Sequence, residues 1–444
     1  MSNKSSVLPG DIREFELFQA KDGGKSIDAS GAVVDIKYYE DILSNSVSLS
    51  AIIAETGESD SDVGNVGMLD GLPIRGGEPS NIVIVDHDGN KLEFNGDNKL
   101  YVNRVRNVIS GTQKDVYSID FTSREMLANE QCRVVKRYDG KISENIKKIL
   151  TENTSAEVGI KTKKEVTVDE TAINYNFIGN DRKPFYVCTW LASKSIPAQA
   201  GKVGGSAGYV FYETYDGYNF RSLDALAEQE PKGNYLFSNT DDIPTEYTAK
   251  ILNYDIDRDI DLQNNLTIGA YANRTLFFDF YAYNYKVRNY SVDESGGADN
   301  NEGAGSKGKL VTLGSDDIDS VADEFRLPVS RLMNRVLDVG TLPAGKDIDE
   351  QLKTWKESPF DPTYDSTKTM VQSVMRYNQM FSVKINIMIA GDFRLRAGDL
   401  IRCEFPRLST ESNTRPNKVS GGLYMISSLC HNITPRETYT SLTL

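Results

Sequence analysis

Apolar and polar residues alternate one by one in several short segments near both ends of the chain, and this two-residue period is the feature that most restricts its fold. In the segment SVSLSAIIAE, for example, Val47, Leu49, Ala51 and Ile53 stand at every second position. Such a period places alternate side chains on opposite faces of a β-strand. The pattern therefore predicts half-buried strands at both ends of the 444-residue chain.

Residues 1–125 contain about seven such segments, joined by short connections. The connection His87-Asp88-Gly89-Asn90 is typical of a tight hairpin turn. An open sheet leaves unpaired edges, and closing the sheet into a barrel removes them. We therefore expect residues 1–125 to form a first antiparallel β-barrel.

A helical period replaces the alternation after residue 125. Ile142, Ile146 and Ile149 fall on one side of a helix, and Pro184 stands where the first turn of a second helix tolerates proline. These patterns predict an α+β middle domain at residues 126–208.

Alternating and aromatic segments return further along the chain. They include GYVFYETYDGYNFRSL, with Asp216-Gly217 at its turn, and KINIMIA near the C-terminus. Residues 209–238 and 373–444 are predicted to form a second, similar β-barrel, with a helix in TKTMVQSVMRYNQM leading into it. The predicted fold class is mainly β with an α+β middle domain.

Residues 239–372 are assigned to a continuation of the middle domain. Within them, residues 291–362 form an insertion that includes an acidic, glycine-rich run from Asp293 to Lys309. Such a run has few side chains able to pack, and it predicts a mobile loop. A short helical stretch is expected from Ile318 to Leu337, interrupted at Pro328.

The charge balance argues against a protein that grips nucleic acid. The chain has 50 basic and 64 acidic residues, a net charge of −14. Affinity for DNA comes largely from Lys and Arg that displace counterions, so an acidic chain is better suited to letting a polyanion pass. The N-terminus lacks the apolar segment of a signal peptide, no run is apolar enough for a membrane helix, and the four cysteines form no CxxC pair.

One acidic motif is similar to a calcium-binding loop but departs from it at a decisive position. Asp255, Asp257 and Asp259 match the first three ligand positions of an EF-hand, but Ile260 replaces the glycine that the sharp turn requires. The favoured interpretation is a strand that runs to Leu262 with its aspartates pointing outward.

The residues suggest no catalytic set. GAGSKGKL has leucine where a P-loop needs Ser or Thr. The two histidines are His87, in the predicted turn, and His431, whose neighbour Cys430 points to the opposite face of a strand and cannot pair with it. Asp392 and Asp399 each follow a glycine, where an aspartate commonly caps its own turn. The sequence therefore predicts no catalytic residue, no metal and no cofactor.

The order of several segments resembles that of the baseplate central hub proteins of contractile-tailed, T-even-like bacteriophages. IAGDFRLRAGDLIRCEFP and SGGLYMISSLCHNITPRETYTSLTL resemble the C-terminal barrel of that family. GYVFYETYDGYNFRSLDAL resembles its aromatic hairpin, and YSIDFTSREMLANEQCRVVKRYDGKISENIKKIL resembles the step from the first barrel into the middle domain. The resemblance covers most of the chain outside residues 291–362, and the hub portion of type VI secretion spike proteins is related to the same family.

The resemblance implies a homotrimer in which each chain contributes two barrels, so that the ring has pseudo-sixfold symmetry. The ring would join the sixfold tail tube, or tube-initiator proteins, to a threefold spike, and it would contact surrounding baseplate wedge proteins. Double-stranded DNA would pass through its centre without specific binding. Since the chain stops at Leu444 after the barrel, the spike is expected to be a separate protein. The protein would be made in the host cytoplasm and reside in the tail baseplate of the virion.

Two alternatives stay open at this stage, a tail-associated cell-surface hydrolase and the hub of a non-phage contractile injection system. The missing nucleophile, base and metal set favours a structural, non-enzymatic protein over a hydrolase. Part of the acidic charge is expected to line the channel and repel the DNA. The segment from Asp255 to Asp261 either contributes to this lining or forms an outer, solvated face.

Overall fold

The computed structural model describes residues 7–19, 24–57, 67–72, 74–111, 113–155, 157–172, 174–198, 205–238, 244–257, 262–269, 271–279, 283–291, 322–336, 366–379, 384–406 and 421–444. β-Strands dominate these residues, and the helices are fewer. Within this part of the chain, no helix combines the length and the apolar character needed to cross a membrane. The mainly β class predicted from the alternation is confirmed.

The elements are numbered in chain order. The strands of the N-terminal half are β1 (Asp11–Phe18), β2 (Ser26–Asp28), β3 (Val33–Asp41), β4 (Ser48–Glu55), β5 (Ser80–Val85), β6 (Lys91–Phe94), β7 (Leu100–Ser110), β8 (Asp115–Ser123), β9 (Arg137–Tyr138), β10 (Glu165–Val168), β11 (Phe177–Ile178), β12 (Tyr209–Thr214) and β13 (Gly217–Ser222). Those of the C-terminal half are β14 (Asn234–Phe237), β15 (Ala249–Asp257), β16 (Ala272–Asp279), β17 (Asn284–Ser291), β18 (Arg331–Val336), β19 (Lys384–Ala390), β20 (Leu400–Glu404), β21 (Gly422–Met425), β22 (Ser428–Ile433) and β23 (Thr438–Thr443). The helices are α1 (Met68–Gly71), α2 (Arg124–Gln131), α3 (Ile142–Thr151), α4 (Pro184–Ala192), α5 (Leu223–Ala227), α6 (Leu262–Ile268), α7 (Asp323–Arg326) and α8 (Ser366–Gln379).

One eleven-stranded sheet passes through both ends of the chain. Its strand order is β21-β20-β14-β15-β19-β23-β22-β3-β4-β8-β7. The two ends meet where β22 pairs antiparallel with β3, with Asn432 opposite Lys37. Strand β14 is parallel to both of its neighbours, β15 and β20, whereas the other pairs in this sheet are antiparallel. The two β-rich ends are therefore one continuous structure.

A four-stranded sheet of order β2-β1-β5-β6 shares an apolar core with the N-terminal part of the large sheet. This core includes Phe15 of β1, Leu49 of β4 and Phe121 of β8. The predicted turn at residues 87–90 joins β5 to β6, and Gly89 there has a φ of +88°. The described strands form no closed barrel, because β2 and β6 at the borders of this sheet pair with one strand each.

The C-terminal part of the large sheet curls around a second core. Ile385, Ile387 and Ile389 of β19 face this core, whereas Lys384 and Asn386 are exposed on the other side. Side chains from β14, β15, β20, β22 and β23 complete the core. The strand predicted from the alternation in KINIMIA is confirmed as β19, and the helix predicted before it is confirmed as α8.

The middle region packs its helices around a third core. Ile142, Ile146 and Ile149 of α3 are fully buried there, as their spacing predicts, together with Phe185 of α4. Helix α4 begins at Pro184, the position at which proline was expected. The aromatic hairpin β12–β13 contributes Phe211 and other rings to the same core, so it connects the middle region to the β-rich parts.

Two expectations for the inserted part are wrong. The strand expected to run to Leu262 is β15, but it ends at Asp257, where its pairing with β19 also ends. Leu262 is instead the first residue of helix α6. The helix expected up to Leu337 is present among the described residues only as α7. After Pro328 the chain forms β18, which pairs in parallel with β16, because the ring and missing N–H of proline disrupt a helix.

Residues 239–372 contribute to two different sheets. Strand β15 lies in the large sheet, whereas β16, β17 and β18 form a separate sheet of order β17-β16-β18. The run from Asp293 to Lys309 and the GAGSKGKL motif lie outside the described residues.

Candidate functional site: the polar face of the large sheet

One face of the eleven-stranded sheet is polar across both ends of the chain. Directly opposed residues of neighbouring strands lie on the same side of a sheet, so the pairing fixes which side chains share this face. One row, from β15 to β4, consists of Asn253, Met388, Ser441, Cys430, Tyr39 and Ser48. The next row, from β23 to β7, consists of Tyr439, Asn432, Lys37, Ser50, Asp120 and Arg104. All of these side chains are exposed or half-buried, and we refer to this surface as the polar face.

Paired charges lie at the β7–β8 end of the polar face. Arg106 donates to Asp120 Oδ1 over 3.0 Å, and the Nε atom of Arg104 lies 3.4 Å from Asp120 Oδ2. The hydroxyl of Ser50 donates to the same carboxylate over 2.9 Å. A single aspartate therefore compensates much of the positive charge that two arginines bring to this face.

The acidic strand expected between Asp255 and Asp261 is described as far as Asp257. Asp255 and Asp257 are exposed on the polar face, and Asp257 lies opposite Lys384 of β19. Asp259 and Asp261 lie outside the described residues. The polar face thus carries charges of both signs, not acidic residues alone.

A buried carboxylate joins three distant segments beneath this face. Glu40 of β3 accepts hydrogen bonds from the Tyr38 hydroxyl at 2.8 Å, the Tyr215 amide at 2.7 Å and the Ala397 amide at 2.9 Å. Tyr215 lies in the turn between β12 and β13, and Ala397 lies in the loop before β20. Burial raises the pKa of Glu40 to about 7, although the positive charge of Arg396 opposes the shift.

Loop 391–399, which contains both Gly-Asp steps, forms the C-terminal side of this contact. The Arg396 guanidinium lies 4.7 Å from the centre of the Tyr215 ring, and its Nε atom donates to Asp216 over 2.9 Å. Gly398 has a φ of +90°, and a Cβ atom there would lie 2.4 Å from the Tyr212 hydroxyl oxygen. Glycine is therefore required by both conformation and close approach. We call Glu40, loop 391–399 and the Tyr215–Asp216 turn the junction.

The hairpin that enters the junction also carries a second buried carboxylate. Glu213 of β12 accepts from Lys164 Nζ at 2.7 Å and from the Val47 amide at 3.1 Å. Lys164 is itself almost fully buried and lies 3.9 Å from Glu125. Burial raises the pKa of Glu213, and the neighbouring Lys164 opposes this shift. The hairpin is thus bonded to the N-terminal strands, to the middle region and to the C-terminal loop.

The aspartates of the two Gly-Asp steps cap their own loop, as the sequence predicts. Asp392 accepts from the Arg394 amide at 3.1 Å, and Asp399 accepts from the Arg396 amide at 2.9 Å. Burial favours the neutral form of Asp392, but the hydrogen bonds from Arg394 outweigh it and lower its pKa. Both aspartates therefore stabilise the backbone conformation of the loop.

The two histidines lie on different elements. His87 is in the β5–β6 turn, with Nε2 at 3.3 Å from Asp88 Oδ1. His431 is fully buried in β22, where its Nδ1 atom lies 2.9 Å from Thr440 Oγ1, and burial lowers its pKa to about 3. The adjacent Cys430 lies on the polar face, so the predicted opposite orientation is confirmed. Among the described residues, no three or more potential metal ligands cluster together.

Glu40 is not among the site residues predicted from the sequence, although the sequence contains a pattern that indicates its burial. Ile36, Tyr38 and Glu40 stand at every second position, so the two-residue period places Glu40 on the buried face of β3. A carboxylate on a buried face needs several donors, and that requirement identifies it as an organising contact. Its actual partners, Tyr215 and Ala397, are too distant in sequence for any pattern to indicate.

Comparison with known proteins identifies structures with a similar fold. No protein-family model matches the sequence, and no curated protein is significantly similar to it. The structure is similar to the 43 kDa tail protein of prophage MuSo2 from Shewanella oneidensis, with a TM-score of 0.50 and 8% identity over 99% of this chain and 97% of that one. The tail protein from Neisseria meningitidis MC58 aligns with a TM-score of 0.47 and 12% identity over 99% and 96% of the two chains. The E. coli c3393 protein, a component of the type VI secretion system, aligns with a TM-score of 0.41 and 9% identity over 98% and 75%.

The structural neighbours are thus phage tail and baseplate proteins and type VI secretion proteins. The chain has the fold of a phage tail protein, as its full-length similarity to the Shewanella prophage protein shows. The tail-protein resemblance predicted from the sequence is confirmed at the level of the fold.

Proposed function

We propose that this chain is a structural baseplate hub, which adapts a sixfold tail tube to a threefold spike and forms a channel for DNA. The observation that carries the proposal is the single sheet that unites both β-rich ends and exposes a polar face from β15 to β7. In this proposal each β-rich end forms one unit, so that three copies place six units around one axis, as such an adaptor requires. The protein would then be a homotrimer in the virion baseplate, in contact with a separate spike, the tube and wedge proteins.

The open borders of the large sheet support assembly with other copies. Strands β7 and β21 at its two ends each pair with one strand of the sheet. Residues 77–79 already bond to Tyr101 and Val102 on the outer edge of β7, so only the remainder of that edge is a candidate contact. Unpaired strand edges are sites at which sheets of different chains join, unless they are covered. Three copies that meet through these borders would continue the sheet around a ring.

We place the polar face on the inside of that ring, along the path of the DNA. Lys and Arg that are free to approach phosphates would hold DNA, because they displace its counterions. On this face Asp120 bonds Arg106 and lies close to Arg104, and Asp257 lies opposite Lys384. Small hydroxyl and amide side chains fill half of the ten other positions in the two rows. Such a lining lets a polyanion slide past without a binding site.

Charge reversal on the polar face tests this placement. The double substitution Asp255→Lys and Asp257→Lys adds unpaired positive charge beside the DNA and should slow its release from the particle. Glu157→Lys, at an exposed position outside the polar face, is the control and should leave release unchanged. Ejection is followed as the rise in fluorescence of a DNA dye after the particle is triggered. Equal kinetics in the double variant and the control would contradict a DNA path along this face.

A further inference from the structure

A cleft of about 290 Å³ lies where the middle region meets the turn between β3 and β4. Its walls come from three elements and include Asn45 of that turn, Met126 and Asn129 of α2, and Lys183 and Tyr186 at the start of α4. The volume is at the small end of the range for ligand pockets. The cleft can therefore take one side chain or a molecule of similar size, and it is separate from the junction and the polar face.

Asn129 directs an unused hydrogen-bond donor toward this cleft. Its side chain is only 4% exposed, and its Oδ1 atom accepts from the Phe185 amide over 2.9 Å. That bond fixes the orientation of the side-chain amide, so the Nδ2 group is the one left for a ligand. The described residues offer Nδ2 no hydrogen-bond partner. Because buried polar groups are normally paired, this donor indicates a ligand that supplies an acceptor.

Two further donors line the same cleft. The Asn45 amide oxygen accepts from the Thr189 hydroxyl over 3.3 Å, and its amino group has no partner in the described part of the chain. Lys183 bonds to Glu130, but the side chains are 40% and 52% exposed. An exposed ion pair contributes little to stability, so a ligand can compete for this ammonium group. The nine-residue helix α4 begins here, and its dipole places partial positive charge at the same end.

The donor set selects a carboxylate. An ionised carboxylate only accepts hydrogen bonds, and its single charge matches one lysine that is already shared with Glu130. A phosphate group carries close to two charges and would need more cations than this cleft supplies. Beside these donors, half-buried Met126 offers an apolar contact for the aliphatic stem of a glutamate.

We propose that the cleft binds a glutamate side chain presented by a partner protein. Tyr186 is 54% exposed at the cleft, and the Arg182 guanidinium lies 5.4 Å from the centre of its ring. This pair extends the contact surface beyond the cleft toward the backbone that carries the glutamate, which a free small acid lacks. The cleft is independent of the proposed function, so a failure of one leaves the other standing.

NMR of the methionine methyl groups tests the proposal in the full chain. Met126 is one of nine methionines, and its ¹³C-methyl resonance is assigned by comparison with the Met126→Leu variant. The probes are the blocked peptide acetyl-Ala-Glu-Ala-amide, its Gln counterpart and free glutarate. We expect a saturable shift of the Met126 resonance with the Glu peptide, and binding that is roughly tenfold weaker or more for the other two.

Two variants show which groups hold the carboxylate. Asn129→Asp keeps the acceptor for the Phe185 amide but replaces the free donor with a negative oxygen, and it should weaken binding of the Glu peptide roughly tenfold or more. Lys183→Gln should weaken it roughly threefold, which is the scale of an exposed ion pair. The controls are Asn95→Asp and Lys148→Gln, at exposed positions outside the cleft, and both should bind like the unchanged protein.

Three results would overturn the proposal. The first is no shift of the Met126 resonance with the Glu peptide, and the second is equal binding of the Gln peptide. The third is equal binding of glutarate, which would remove the assignment to a protein partner. Unchanged binding in both Asn129→Asp and Lys183→Gln would also contradict it. Since Lys183 is exposed, its variant keeps the test decisive even if Asn129→Asp does not fold.

Discussion

At the scale of single residues, Glu40 is the side chain that holds the junction together. Its carboxylate accepts three hydrogen bonds from segments that lie far apart in sequence, in a site without solvent contact. Removing such an acceptor leaves buried donors without partners, which costs more than the bonds themselves contribute. The junction therefore depends on one ionisable group whose protonation changes near neutral pH.

The pH dependence of stability follows from the raised pKa of Glu40. Its pKa is about 7 in the folded protein and near 4.5 in the unfolded chain, so the folded state retains a proton that the unfolded chain releases between these values. This contribution to stability is complete below pH 4.5 and is lost as the pH rises through 7, by roughly 3 kcal/mol in total. Glu40→Gln should remove this slope, and Glu157→Gln should retain it. Urea midpoints at pH 5 and pH 8 measure the difference, and an identical slope in Glu40→Gln would show that another group is responsible.

Gly398 gives a second prediction at this scale. Its φ is +90°, and a Cβ atom added there would lie 2.4 Å from the Tyr212 hydroxyl oxygen, so Gly398→Ala combines backbone strain with a steric clash. The strain alone costs roughly 1–3 kcal/mol. Gly422→Ala is the matched control, because no atom lies within 4 Å of a Cβ at that position and its φ is not positive. The thermal unfolding midpoint should fall by several degrees for Gly398→Ala only. Equal midpoints for the two variants would mean that the loop adapts to a side chain.

At the scale of elements, helix α8 adds several polar contacts to the apolar packing of Val371 and Tyr377. Arg376 donates to Asp224 over 3.1 Å, Gln372 accepts from the Ala207 amide at 2.7 Å and Ser373 donates to the Ser193 carbonyl at 2.7 Å. These partners lie on the hairpin region and the end of the middle region. The helix therefore connects the C-terminal strand β19, which follows it, to the rest of the molecule.

A double-mutant cycle measures that connection. Asp224→Asn and Arg376→Gln each break this buried ion pair while its other member stays in place, and each should cost on the order of 3 kcal/mol. The double variant should lose clearly less than the sum, since both changes remove the same interaction. Urea unfolding of the four proteins gives the coupling. Strictly additive losses would show that the two side chains do not stabilise α8 together.

The elements also show where sequence patterns are informative. The period of Ile142, Ile146 and Ile149 predicts α3 because a helix with one buried side must repeat in this way. The local pattern predicts helix where the structure has strand β18. Its partner β16 is far away in sequence, and parallel pairing over such a distance leaves no local signal. The exposure of Leu332 and Val336 on this strand follows from the same tertiary pairing and was likewise not predictable.

At the scale of the whole molecule, the sequence indicates two β-rich ends but not their union. The alternation in both ends fixes which side chains face a core, and the structure confirms this for β4 and β19. It does not determine that β22 pairs with β3, because the register between strands so far apart is set by tertiary packing. The β-rich ends that the pattern assigns to separate barrels are instead parts of one sheet, fastened by the junction.

Imaging the purified, assembled protein by electron cryomicroscopy tests the central claim most directly. The account predicts a ring of three chains with six β lobes and an open centre, with the row from Asn253 to Ser48 facing that opening. A monomeric particle, or a ring with the polar face turned outward, would contradict it.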